Sequence, residues 1–323
     1  MTPFSITLDD FTRLGAGLRR PESVLTTRAG DIYCSSSAGG ITRIRPDGSQ
    51  ALIGRQNHGE QGFIANGFAL LPDETFLIAN IGRDGGVWQL DRNGDLRPWL
   101  MEAEGRPLGM PNFVLLDHQG RVWVIGLPNR MAETYAPGTN EGFIVLTDGR
   151  GSRIVAEGID FPNELRLDCR RGWLYTNETF LARTLRFRLG PDGTLPDRET
   201  VMEYDRTDHL DGFCLDEEGK IWTTSIVVNR IYRVDPDAGT RIKVFEELSP
   251  DWAERAAQAV ESGKLTRGIL HEDHGLTCRN LSSLAFGGDD LRTLHVGQLA
   301  GDCILTFRAP VAGDAPAHWS FVS

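Results

Sequence analysis

Six polar residues, Glu22, Asn66, Asn112, Asn163, Asp211 and Ser282, open six copies of one short pattern, and apolar positions alternate after each of them. Polar side chains facing one another away from bulk water need water or an ion to satisfy them. Two carboxylates repel at close range unless a cation lies between them, and carboxylate together with amide oxygens suits a hard divalent ion. One divalent metal ion is therefore expected, calcium first, with zinc, manganese and magnesium as alternatives. Taken singly, each Asn or Asp also has a plain structural explanation, because these residues favour the turns that precede strands. Their shared position in a repeat is what favours a site.

For those side chains to meet, the elements that carry them must converge. The three close copies read NFVLLDHQGRVWVIG from Asn112, NELRLDCRRGWLYTNE from Asn163 and DGFCLDEEGKIWTTS from Asp211. Weaker copies start at Glu22, Asn66 and Ser282, so the intervals are 44, 46, 51, 48 and 71 residues. Each copy is an alternating strand, a turn of Asp, Gly, Asn or Glu, and a second strand rich in aromatic residues, which is a β-hairpin. Third and fourth strands follow in GGVWQLDRNGDLRPWL, GFIVLTDGRGSRIVAEG and NRIYRVDPDAGTRIKVFE, each with its own turn. Four strands in about 45 residues is the period of a β-propeller blade. The expected fold is all-β, a six-bladed β-propeller formed by residues 1–323 as one domain. Inner strands line the channel of such a ring, so residues that start them would face one another across its axis.

A doubly wound α/β fold would need helices between the strands. Only PDWAERAAQAVESGK, from Pro250 to Lys264, has helical periodicity, with Ser249 as its expected N-cap. It explains the long last interval as an insertion at 249–265 between blades five and six, read as a lid or an oligomer contact. The stretch SITLDDF or FTRLGAG before Glu22 has no blade of its own and is expected to complete the last sheet. With 34 Lys and Arg against 45 Asp and Glu, net charge −11, and no basic stripe, nucleic-acid and anionic-membrane partners are disfavoured. Five scattered cysteines without a CxxC pair argue against a disulfide scaffold or a thiolate zinc site, and read as idle thiols. Neither a signal peptide nor an apolar run of about 18 residues is visible, so a cytoplasmic protein is expected, with homo-oligomerisation left open.

The segments RPESV, MPNFVLLDHQGRVW, GIDFPNELRLD with LYTNETF, HLDGFCLDEEGKIWTT and SSLAFGGDDLRTLHV resemble, in the same order, the blade signatures of the gluconolactonase and senescence-marker-protein (regucalcin) family. The resemblance runs from about Glu22 to Phe307 and implies a six-bladed propeller with one divalent metal in the axial tunnel. In that family the metal serves hydrolysis of lactones or, in distant relatives, of organophosphates. Carried over by motif, Glu22 in PESV, Asn163 in FPNEL and Asp211 in LDGF would be the metal ligands. Asn112 in MPNF would point at the same ion or at the substrate oxygen, while Asn66 and Ser282 join the ring as substrate contacts by position alone. The usual EGP-aromatic opening is here PESVL, so Glu22 rests on its place in the repeat.

A cation holding an ester carbonyl oxygen stabilises the charge that develops when water attacks, and lowers the pKa of a bound water. Asp211 can then be both ligand and general base. No serine nucleophile is needed, in keeping with the absence of a GxSxG elbow. The expected function is thus a metal-dependent lactonase acting on a small lactone or ester. Where sugar-lactone members similar to regucalcin carry Arg two places before the blade-three Asn and Asp just after it, this chain has Met110 and Phe113. Unpaired sugar hydroxyls would cost about 1 to 3 kcal/mol each, so a less polar or aromatic substrate is expected. His209, two residues before Asp211, would stand at the tunnel mouth and contact substrate or shuttle a proton. His271 and His274 in HEDH lack a third metal partner and are read as pocket-rim residues. Glu178 is read as a structural acid paired with Arg183, and the AFGGDD glycines as turn residues. Two alternatives stand beside the lactonase: a metal enzyme of the same fold with other chemistry, such as an organophosphate hydrolase, lyase or isomerase, and a non-catalytic ligand-binding propeller.

Overall fold

The computed structural model describes residues 3–321 apart from 56, 57, 59–61 and 129–133, so the expected 1–323 extent is described within those limits. Six antiparallel four-stranded sheets form, one for each copy of the repeat, as the blades of a six-bladed propeller. Their inner strands are Val24–Thr26, Ala65–Leu70, Val114–Leu116, Pro162–Asp168, His209–Leu215 and Leu281–Gly287. Each starts within two residues of the polar position that opens its copy, and each is an edge strand of its sheet. Inner strands of successive blades touch from two through to six and from six back to one, so the positions that open them share one end of the channel.

The recurring Asp, five residues after the opening position, has a structural task. Asp117 accepts hydrogen bonds from the Gln119 and Arg121 backbone N–H groups across the hairpin turn, and from Arg121 Nε (2.7 Å) and Trp123 Nε1 (2.9 Å). Asp216 does the same in blade five, accepting from Glu218 N, Lys220 N, Trp222 Nε1 and Arg233 Nε. A buried carboxylate is tolerated because its lone pairs are filled, and in return it fixes the hairpin and the large ring that packs between blades. The core lies in those inter-blade layers. Trp222, Leu284, Phe286 and Phe307 meet between blades five and six, and Leu77, Val114, Val124 and Phe143 between blades two and three.

The ring closes through the strand Thr12–Leu14, which pairs antiparallel with Ile304–Arg308 in the register Thr12 with Thr306. Blade six therefore takes its outer strand from the start of the chain, as the sequence suggests. Helix α1, Pro250–Glu261, lies between blades five and six. Ser249 occupies the N-cap position in extended conformation, but its side chain makes no capping bond, and Pro250 sets the first turn. The apolar face of α1 (Trp252, Ala253, Ala256, Val260) is buried against Ile226, Val227, Val228, Phe180 and Tyr135. The helix thus spends its apolar stripe inside the molecule, which differs from the expected lid or oligomer contact. A second, short helix α2, Arg267–Leu270, follows and was not visible in the periodicity. At the opposite end of the channel the C-terminal segment crosses the blades, with Asp314 N donating to Leu215 O and Arg28 N to Trp319 O. All five cysteines are free. Among the described residues no helix is long and apolar enough to cross a membrane.

Candidate axial site

The polar residues that open the inner strands form a hydrogen-bonded arc. Asn66 donates through Nδ2 to Asn112 Oδ1 (3.0 Å) and to Asn112 O (2.9 Å). Asn112 in turn donates to Pro162 O (3.4 Å), beside Asn163. Across the last seam, Ser282 Oγ donates to the backbone oxygen of Glu22 (2.8 Å), so its hydroxyl serves the junction of blades six and one. Asn163 donates Nδ2 to Thr179 Oγ1 (3.1 Å), and its Oδ1 accepts no hydrogen bond from a described residue. Thr179 also accepts from Leu210 N through its backbone oxygen, which ties Asn163 to the segment carrying Asp211. The backbone oxygen of Asp211 is held by Asn177 Nδ2 at 2.9 Å. Glu22, Asn66, Asn112, Asn163, Asp211 and Ser282 are all buried, and the contacts link blades two to three, three to four, four to five and six to one.

The link between blades one and two comes from a residue that the repeat does not single out. Arg20 donates Nη1 to Glu22 Oε2 (2.9 Å) and Nη2 to Asn66 Oδ1 (3.0 Å). Its backbone has φ 55°, a left-handed conformation uncommon for a residue with a side chain. A guanidinium therefore already sits on the carboxylate expected to bind a cation. Glu164 was also missed. Its Oε2 accepts from Phe213 N (3.2 Å) and pairs with Arg166 Nη2 (2.6 Å), and a Cβ on Gly212 would come within 2.5 Å of its Oε1. Glu164 thus lies between the inner strands of blades four and five, just below the ring. Burial pushes its carboxyl pKa up against the pull of Arg166, and the charge of Glu22 pushes the same way. A carboxylate directly after the expected ligand Asn163, two residues before Arg166 on the same inner strand, was the available signal for it.

The remaining candidates fall in different places. His209 is buried, with Nδ1 3.1 Å from Thr207 O and its ring 5.9 Å from that of Phe180. Burial lowers its pKa to about 4, so it is a neutral imidazole at pH 7. Phe180, Phe161 and Tyr135 form a ring cluster with centroids 4.7 to 5.4 Å apart beneath α1. Met110 is buried. Phe113 packs with Trp123 and Ile125 and lines a cavity at the other end of the channel, under the Arg166 guanidinium. His274 stacks on Trp252 at 4.6 Å and contacts Glu272, away from the ring, and His271 caps the C-terminus of α2. Glu178 pairs with Arg183, as the sequence suggests.

Two buried carboxylates and an amide oxygen with spare acceptor capacity fit a hard divalent ion, and the guanidinium on Glu22 shows that this end of the channel attracts positive charge. Among the described residues no group of three or more His, Cys, Asp or Glu could hold a metal, so such an ion would depend on the amide of Asn163. Residues 21–247 match the SMP-30/gluconolactonase/LRE-like region. The chain belongs to this family. Within it, the chain is 26% identical over 234 residues to 6-deoxy-6-sulfogluconolactonase of Pseudomonas putida, covering 71% of this chain and 67% of that protein. It is 28% identical over 246 residues to pentonolactonase XacC of Haloferax volcanii, covering 72% and 70%. Its fold is shared with a gluconolactonase of Xanthomonas campestris (TM-score 0.67, 18% identity, 93% and 89% covered). The calcium-binding protein regucalcin of Agrobacterium tumefaciens shares it too (TM-score 0.65, 17% identity, 96% of both chains).

Proposed function

We propose that this SMP-30/gluconolactonase-family propeller is a divalent-cation-dependent lactonase, with calcium the first candidate ion. What supports this reading is that Glu22, Asn163 and Asp211 are buried polar residues opening inner strands of three blades, in a family whose named relatives here are lactonases. Glu22, Asn163 and Asp211 would hold the ion, which when bound supplies positive charge for the oxygen of an ester carbonyl. Asn112 orients the substrate from the neighbouring blade. Asp211 takes a proton from the attacking water through its carboxylate oxygen. The acyl C–O bond of the ring then breaks, the leaving oxygen regains a proton, and a hydroxy acid is released. The buried setting of the ring excludes bulk water and strengthens these electrostatic effects. Met110, buried in place of a hydrogen-bonding group, supports a substrate less polar than a sugar lactone, whereas the Phe113 ring faces the opposite chamber and does not bear on that preference.

The test joins metal analysis of the purified protein with a pH-indicator screen of lactones from aliphatic to aromatic and sugar-derived. Hydrolysis lost on chelation and restored by a divalent ion, with folding retained, supports the reading. Asp211→Ala is expected to lower kcat at least 100-fold, the scale of a lost general base. Full activity in that variant would remove Asp211 from the chemistry, and activity on sugar lactones alone would overturn the substrate preference.

A further inference from the structure

At the end of the channel opposite the polar ring, inner strands of all six blades and residues 314–318 enclose a cavity of about 120 Å³. That is room for several waters or one small organic molecule. Its walls are mostly apolar, with Phe113, Leu116, Leu284 and Phe286 among them. Glu164, packed against Gly212 and Phe213, stands between this chamber and the ring.

One cation faces the chamber with donors to spare. Arg166 lies 4.8 Å over the Phe113 ring and spends Nη1 on Leu165 O (2.8 Å) and Nη2 on Glu164 (2.6 Å), whereas a guanidinium has five N–H donors. The two carboxylates in the walls already have partners: Asp117 has Arg121 and Trp123, and Asp314 has Arg170 at 3.0 Å. From the C-terminal segment His318 presents a buried Nε2 with no hydrogen-bond partner. The exposed residues His118 and Cys169 mark where the chamber meets solvent. We infer that the chamber binds a small carboxylate with an apolar body, its charged end on Arg166 within reach of His318. An Arg fork matches a carboxylate, and apolar walls with a few convergent polar groups are what small-ligand sites consist of.

Benzoate is the probe, titrated calorimetrically into the full chain beside benzyl alcohol. Benzoate is expected to bind one to one, with benzyl alcohol at least tenfold weaker. Arg166→Met should weaken benzoate at least tenfold. Ala317→Trp, which fills the chamber from the C-terminal segment and leaves the Arg166–Glu164 pair in place, should abolish binding without changing lactone hydrolysis. Asp211→Ala should bind benzoate as the wild type does. The inference is overturned if the wild type does not bind benzoate, if benzyl alcohol binds as well, if Ala317→Trp still binds, or if Asp211→Ala loses the ligand.

Discussion

Replacing Arg20 by Met separates the two positive charges that can serve Glu22. Arg20 is 2.9 Å from Glu22 Oε2 and 3.0 Å from Asn66 Oδ1. The Glu22 side chain is 7% exposed and that of Arg20 19%, so the pair is largely desolvated. Hydrogen bonds to charged groups contribute about 1.5 to 3 kcal/mol, and breaking a fully buried pair costs about 3 to 5. With the guanidinium still partly wet, the expected loss in metal-free protein is about 2 kcal/mol. A divalent ion on Glu22 supplies the missing charge and no longer competes with Arg20. Most of that loss should therefore return as affinity, about tenfold tighter calcium binding for about 1.4 kcal/mol. The assay is thermal unfolding of wild type and Arg20→Met in chelator and over a calcium series, because a ligand bound only by the native state raises stability as its concentration passes Kd. The variant should melt lower without calcium and gain more from it. A calcium increment equal to or smaller than that of the wild type would refute the competition between Arg20 and the ion.

Asp216→Ala should cost about 3 kcal/mol or more in urea unfolding, because Arg233 and Trp222 Nε1 are left buried without their acceptor. A loss under 1 kcal/mol would show that the turn does not depend on this carboxylate. Burial lowers the pKa of His295 to about 4. The unfolded chain therefore takes up its proton first as pH falls below about 6.5, and stability drops. Between pH 7.5 and 5 the wild type should lose about 2 kcal/mol more than His295→Gln, and parallel pH profiles would contradict this. Of the five thiols only Cys169 is exposed, so a disulfide reagent should label one per native chain. Rapid labelling of a second would mean that a buried thiol is reachable.

The ring of blades was legible because its unit recurs: alternation, a turn and an aromatic strand are local signals, and their spacing counts the sheets. The closing strand followed from the leftover segment before Glu22. Arg20, Glu164 and Arg166 escaped for a different reason. Arg20 reaches the ring through a left-handed backbone that no pattern announces, and it joins blades whose contact partners are 46 residues apart. Glu164 sits beside the expected ligand Asn163, yet its partner Phe213 is 49 residues away. Phe113 illustrates the limit of reading one position at a time. It follows Asn112 directly, just before the strand Val114–Leu116 begins, yet its ring lines the far chamber, so neighbouring positions serve opposite ends of the channel.

Pairing Thr12 with Thr306 also orders events during synthesis. The strand Thr12–Leu14 cannot find its neighbour until the chain as far as Thr306 has also emerged, and such distant contacts form slowly. Until then the ring stays open and the faces that blades one and six later share remain exposed, the kind of surface that draws partly made chains into aggregates. Slower translation would therefore prolong the vulnerable interval, and a circular permutant whose new ends fall between two other blades would shorten the wait for this strand.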